Sequence, residues 1–134
     1  MIAGGTAQGR YFEPTVVMGV TPEMRMYHEE SFGPVVAIVP VDGVEAAVHV
    51  ANDTEYGLSS AVFSRDADTA MDVARRLQTG ICHINDATVN DEPQMPFGGV
   101  KASGWGRFGG TAALEEFTEL RWITTQDSPR TYPI

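Results

Sequence analysis

Three short runs that read as strands are separated by two stretches that read as helices, with only a few residues at each junction. The first run is PVVAIVP, residues 34–40, apolar at each interior position and bounded by proline. A continuous apolar run of that length predicts a strand covered on both faces. Then follows VDGVEAAVHVANDTEYG, in which Val44, Ala47, Val48 and Ala51 fall at i, i+3, i+4 and i+7, one buried helical face closed by NDT and Gly57. LSSAVFS, residues 58–64, is the second strand, and RDADTAMDVARRLQTG the second helix, with Ala67, Ala70, Met71, Ala74 and Leu77 on one side. Asp66 and Asp68 at its start and Arg75 and Arg76 near its end complement the helix dipole, and Gly80 is expected to supply the residue past the C-cap. ICHIN, residues 81–85, is the third core strand. Strand and helix alternating with short connections is the pattern of right-handed βαβ units on a parallel sheet, so the fold class is α/β.

The flanking stretches are less regular. PTVVMGV, residues 14–20, is β-branched and starts at a proline, which reads as a further strand. The first dozen residues are Gly-rich and polar and read as loop. From Asp86 to Gly110 the chain becomes a long connection, DATVNDEPQMPFGGVKASGWGRFGG, whose aromatics Phe97, Trp105 and Phe108 argue for an ordered, functional loop. TAALEEFTEL is a short helix capped by Thr111, RWITT a last strand, and QDSPRTYPI a loosely held tail.

Composition removes several classes of function. The 134 residues are one domain's worth of chain, and nine basic against eighteen acidic residues give a net charge of −9. That balance argues against nucleic acid and anionic membrane surfaces as partners. No apolar run approaches the roughly 20 residues of a membrane span, and the start MIAGGTAQGR lacks the apolar segment of a signal peptide. The single cysteine, Cys82, excludes an internal disulfide and fits a reducing, cytoplasmic setting. His28, His49 and His83 show no metal-ligand spacing, so no metal is expected.

Three features invite chemistry. The glycines of the long loop (Gly98, Gly99, Gly104, Gly106, Gly109 and Gly110) match neither phosphate-binding pattern and read first as tight-turn geometry. Cys82 alternates with Ile81 and His83 inside a strand, which reads as a small core residue rather than a nucleophile. Glu30 and Phe32, in EESFGPVV, are a surface acid and a core aromatic before a strand. Alternatively they are a pair at the mouth of a sheet, where a carboxylate can accept hydrogen bonds from a ribose diol and a ring can flank a flat heterocycle. Pattern alone does not choose between them.

Five stretches in order resemble the C-terminal part of the NAD(P)-dependent aldehyde dehydrogenase superfamily: GRYFEPTVV, EESFGPVV, ANDTEYGLSSAVFSRD, PFGGVKASGWGR and FTELRWIT, covering Gly4 to Thr125. The wording YHEESFGP, ICHIND, DEPQMPFGG and GRFGG is similar to the branch that oxidises aromatic aldehydes, such as the salicylaldehyde, benzaldehyde and vanillin dehydrogenases. The resemblance implies oxidation of an aldehyde to the carboxylic acid with NAD or NADP. It implies that Glu30 binds the nicotinamide-ribose hydroxyls, that Phe32 packs beside the nicotinamide ring, and that Phe97 lines the aldehyde pocket. The loop from Asp86 to Met95 would shape the substrate tunnel.

The same resemblance implies what this chain lacks. The family's cysteine nucleophile, which forms a thiohemiacetal and then a thioester, and its general-base glutamate match nothing here, so no catalytic residue is expected in this chain. Phe108 stands where many relatives carry a glutamate, which in some of them assists a proton relay to the general base. Residues 1–110 would be the C-terminal part of a catalytic domain. Residues 111–134 would carry a terminal helix, a tail and an oligomerisation strand around Leu120 to Thr125, joining subunits into a dimer or tetramer. The expected partners are the aldehyde, the remainder of the enzyme and further copies of it. The alternative is a catalytically inactive chain that acts only by association with a full-length relative.

Overall fold

The computed structural model describes residues 2–133. The chain runs β1 (Ala7–Gln8), β2 (Tyr11–Phe12), β3 (Thr15–Met18), α1 (Arg25–His28), β4 (Val35–Ile38), α2 (Gly43–Asn52), β5 (Ser59–Val62), α3 (Ala67–Arg76), β6 (Ile81–Ile84) and α4 (Gly110–Phe117), with a single 3-10 turn at Lys101–Ser103. The α/β alternation is as the sequence pattern requires. The βαβ unit is β5–α3–β6, whose strands run parallel in register from Ser59 opposite Ile81 to Val62 opposite Ile84. β3 and β4 form a second parallel pair, Thr15 opposite Val35 through Met18 opposite Ile38. The expected single sheet is instead two separate parallel pairs, because β4 and β5, joined by α2, do not pair. Each pair therefore has open edges, which in a parallel architecture are places for further strands.

The strand at Val35–Ile38 is covered on one face, not two: Val35 and Ala37 are half-buried while Val36 and Ile38 are exposed. The buried core is small, with Val20, Val48 and Ala70 at its centre. Val48 belongs to the predicted face of α2, and Ala70 to that of α3. Ala51 and Met71, on the same predicted faces, are exposed. No helix among the described residues is long and apolar enough to cross a membrane.

Helix α3 shows the N-cap and the charge polarity that its sequence signals. The Asp66 carboxylate accepts from the backbone N–H of Asp68 at 3.0 Å and of Thr69 at 3.4 Å, and from the Thr69 hydroxyl at 2.7 Å. The Thr69 hydroxyl, followed by those two N–H groups, holds the Asp66 carboxyl below its usual range. Its folded value is depressed, so the cap's contribution is complete above the ordinary carboxylate range and is lost as pH falls through the folded value. At the other end Arg76 pairs with Asp72 at 3.2 Å and with Glu45 of α2 at 2.5 Å. Gly80 does not follow the C-cap as expected. Leu77 closes the helix in an extended conformation. Gly80 instead lies where a Cβ would be 1.8 Å from the carbonyl oxygen of Gly98. It is glycine because two backbones meet there.

Three further expectations change. Residues 7–12 are not loop: β1 and β2 form an antiparallel hairpin around Gly9, which takes φ +61°. Ile2 N–H also donates to Val16 O at 2.8 Å, and Thr15, buried, satisfies its hydroxyl with Gly5 N–H at 2.8 Å and Glu13 O at 2.7 Å. Thr111 does not cap α4, which starts at Gly110 with Gly109 as N-cap. The RWITT segment lies outside any strand ladder, and Leu120, Trp122 and Ile123 are exposed. A strand needs a neighbour for its backbone groups, and the described residues offer it none.

Candidate functional site

Two clefts flank the β5–β6 pair. The first contains Glu30. It is built from the exit of α1, the turn at residues 54–57, the start of β5 and the 3-10 turn. Ser60, Thr79 and Ser103 line it, but their hydroxyls are already engaged. The Ser60 and Thr79 hydroxyls lie 2.7 Å apart and 3.2 and 2.8 Å from Ile81 O, so that one donates to the other and the second donates to that carbonyl. Ser103 accepts from Gly57 N–H at 2.9 Å. Glu30 has no hydrogen-bond partner among the described residues and is exposed, so its carboxylate is the open acceptor of this cleft. Tyr56 also lines this cleft. The Glu55 carboxylate, then burial, then the Glu30 carboxylate push its phenol above the usual range.

The second cleft contains Phe97. Gly80 to His83 of β6 form one side and the loop from Asn90 to Phe97 the other. The long connection is ordered by its own backbone: Phe97 N–H donates to Phe108 O at 2.6 Å and Phe108 N–H to Phe97 O at 2.7 Å. The Phe108 ring lies 5.9 Å from that of Phe117 on α4. Arg107 donates to the carbonyls of Gly99 and Gly106, both at 2.7 Å, closing the glycine-rich turn. Most of these glycines therefore serve turns and close approaches. Gly98, for one, has no room for a Cβ beside Gly106 O, at 2.4 Å.

Cys82 is half-buried in the wall of the second cleft rather than in a core. Its neighbour His83 has Nε2 buried without a hydrogen-bond partner. Among the described residues no group of three or more His, Cys, Asp or Glu side chains gathers as a metal site.

The structure thus gives Glu30 and Phe97 to separate clefts. Phe32, at 95% exposure, projects from the turn before β4 and lines neither. Sequence reasoning missed Lys101, which ties the loop after Phe97 to the turn at residues 52–54. It holds φ +56°, and its Nζ donates to Asn52 O at 2.9 Å and Thr54 O at 3.0 Å. It also missed the hydrogen bond from Tyr27 to Asp53, 2.9 Å, and the latch in which Asn85 exchanges two hydrogen bonds with the backbone of Ser64. Asn85 takes φ +58°, a conformation asparagine tolerates, but nothing in a linear pattern says which backbone it meets.

A model of the aldehyde dehydrogenase family matches residues 1–123. The chain belongs to the aldehyde dehydrogenase family. It is 54% identical over 134 residues to a vanillin dehydrogenase from Pseudomonas fluorescens, covering all of this chain and 28% of that protein. It is 49% identical to a benzaldehyde dehydrogenase [NAD(+)] from Pseudomonas putida over 99% of this chain, again 28% of that protein. The crystal structure of a salicylaldehyde dehydrogenase from Pseudomonas putida G7 complexed with salicylaldehyde superposes with a TM-score of 0.93 at 44% identity, over 99% of this chain and 28% of that one. This aldehyde dehydrogenase chain therefore spans little more than a quarter of the length of these relatives.

Proposed function

We propose that this chain forms part of the nicotinamide-ribose site and part of the aldehyde pocket of an NAD- or NADP-dependent enzyme that oxidises an aromatic aldehyde to its acid. The observation that carries this reading is Glu30, a carboxylate in a cleft with no hydrogen-bond partner among the described residues, beside Ser60, Thr79 and Ser103 hydroxyls that are engaged elsewhere. Its two oxygens fit the neighbouring hydroxyls of a ribose, each of which can donate to one of them. The nicotinamide, when bound, supplies a hydride acceptor. Phe32, exposed two residues on, offers a face against which that flat ring can pack. Phe97, half-exposed in the second cleft, gives an apolar wall for an aromatic ring. The loop before it, through Met95, shapes the entrance. The nucleophilic cysteine and the general base belong to the part of the enzyme these residues do not include.

The test is a chimera in which the matching 28% of the Pseudomonas fluorescens vanillin dehydrogenase is replaced by this chain. NADH formation from an aromatic aldehyde is expected. In that chimera Cys82→Ala should keep the hydride-transfer rate within about twofold and cost about 1 kcal/mol of stability, as for loss of a small half-buried group. A loss of activity to background with the fold retained would make Cys82 the nucleophile and overturn the assignment.

The exposed row at Leu120, Trp122 (90% exposed) and Ile123 supports an association surface for this segment. An unpaired apolar stretch of backbone recruits a neighbouring chain as a strand. It also favours the second reading, a chain that acts only by joining a full-length relative. Leu120→Asp with Trp122→Asp removes two large apolar contacts, each worth about 2 kcal/mol when buried, and should weaken association by at least about a hundredfold. Sedimentation velocity of the chimera reads this directly. An unchanged oligomer would place the interface elsewhere.

A further inference from the structure

Glu30 follows α1 by two residues, and α1 is only four residues long. A helix of one turn has little rigidity of its own. Arg25 pairs with Glu29 at 2.6 Å and His28 Nε2 meets Pro22 O at 2.7 Å, but both contacts lie within the same short stretch of chain. Among the described residues, the one side-chain hydrogen bond from α1 to a distant element runs from the Tyr27 hydroxyl to Asp53 Oδ2, 2.9 Å.

Its far end is well anchored. Asp53 ends α2, with its N–H donating to His49 O at 3.0 Å and Val50 O at 3.2 Å. The residues on either side of it carry the two carbonyls that hold Lys101. The Asn52 side chain donates to Arg76 O at 2.9 Å and accepts from Gln78 N–H at 2.8 Å, fixing the same turn to the end of α3. Helices α2 and α3 and the loop that follows Phe97 therefore converge on residues 52–54, and Tyr27 is what ties α1 to that point.

We propose that Tyr27 and Asp53 are positioning residues for Glu30, holding its carboxylate where a ribose diol is received. The inference rests on the ribose reading of Glu30. Neither side chain touches the reacting atoms. Their contribution is to stop α1 from swinging away from the turn at residues 52–54, so that Glu30 does not have to be ordered anew each time the dinucleotide binds.

The test is kinetic and uses the chimera with the vanillin dehydrogenase. Tyr27→Phe keeps the ring and removes only the donor. It is expected to raise KM for NAD+ and to slow single-turnover NADH formation, lowering the ratio of rate to KM by roughly three- to tenfold in all, the range of one intramolecular hydrogen bond, while KM for the aldehyde stays within about twofold. Asp53→Leu should reproduce this split, and reads the same bond if Tyr27→Phe does not fold. Asp53→Asn, which keeps an acceptor oxygen, should recover most of the loss. Tyr27→Phe with Asp53→Leu should be no worse than either alone. A folded Tyr27→Phe with both kinetic constants for NAD+ unchanged would overturn the proposal, as would an equal shift in the two KM values. If Glu30→Gln slows hydride transfer and Tyr27→Phe does not, only the positioning role fails. If Glu30→Gln itself has no effect, the ribose reading fails and the positioning role falls with it.

Discussion

Gly80→Ala is expected to cost more than about 3 kcal/mol, the upper part of the range for an added group that its surroundings cannot accommodate, and to lower the Tm of an enzyme several times longer than this chain by about 3 °C or more. The Cβ would sit 1.8 Å from Gly98 O, 2.8 Å from Gly98 C and 3.0 Å from Gly99 Cα. All three are backbone atoms, so no rotamer change relieves the overlap. The backbone cannot retreat easily either. On one side Gly80 N–H donates to Gly57 O at 3.0 Å and Ile81 continues into the β5–β6 ladder. On the other, Gly98 is packed against Gly106 and Arg107. The collision would separate the Phe97 loop from β6, the two walls of the second cleft. Thermal unfolding of the chimera measures it. A Tm within about half a degree of the unsubstituted chimera would show that the two backbones have more freedom than their hydrogen bonds imply.

Glu30→Gln is expected to slow hydride transfer about ten- to a hundredfold while leaving KM for the aldehyde nearly unchanged. That is the range for losing hydrogen bonds to a charged partner. Glutamine keeps the length and shape of the side chain. It loses the charge and turns one of two acceptors into a donor, which faces a hydroxyl that can donate only by rotating elsewhere. The proposed aldehyde pocket is the other cleft, so on this reading the effect separates between the two substrates. Single-turnover NADH formation measures the step without interference from product release. An unchanged rate would remove Glu30 from the ribose site.

The parts of this fold that the sequence made legible are those whose signals are local. Helix α3 carries its cap, its apolar face and its charge polarity within one stretch, from Asp66 to Arg76. The parallel pairing of β5 and β6 then follows from the shortness of the connection. What escaped is set by contacts between distant residues. Gly80 looked like a helix stop because its true reason, the backbone of Gly98, lies in another part of the chain. The Tyr27–Asp53 bond joins residues 26 apart, in a short helix that no periodicity can reveal. The long loop gave away its order through three aromatics, yet not the Phe97–Phe108 bridge that creates it. PVVAIVP gave its strand correctly and its burial wrongly, since burial on the second face depends on what packs there.

The candidate site divides in the same way. Glu30 and Phe32 stood in a motif whose residues alone allowed two readings, and the resemblance of five stretches supplied the preference. The structure adds that Glu30 is an unpaired acceptor in a cleft and that Phe32 stands free of both clefts. Lys101 and Asp53 bear no chemical signature in sequence, because their work is to hold other residues in place.

The decisive measurement is NADH formation by the chimera, in which this chain replaces the matching 28% of the Pseudomonas fluorescens vanillin dehydrogenase. If these residues supply the ribose carboxylate and a wall of the aldehyde pocket, the chimera turns over an aromatic aldehyde at a rate within about tenfold of its parent, a cost of no more than one weakened contact in the transition state. A chimera that folds and assembles like its parent but yields no NADH would contradict that assignment.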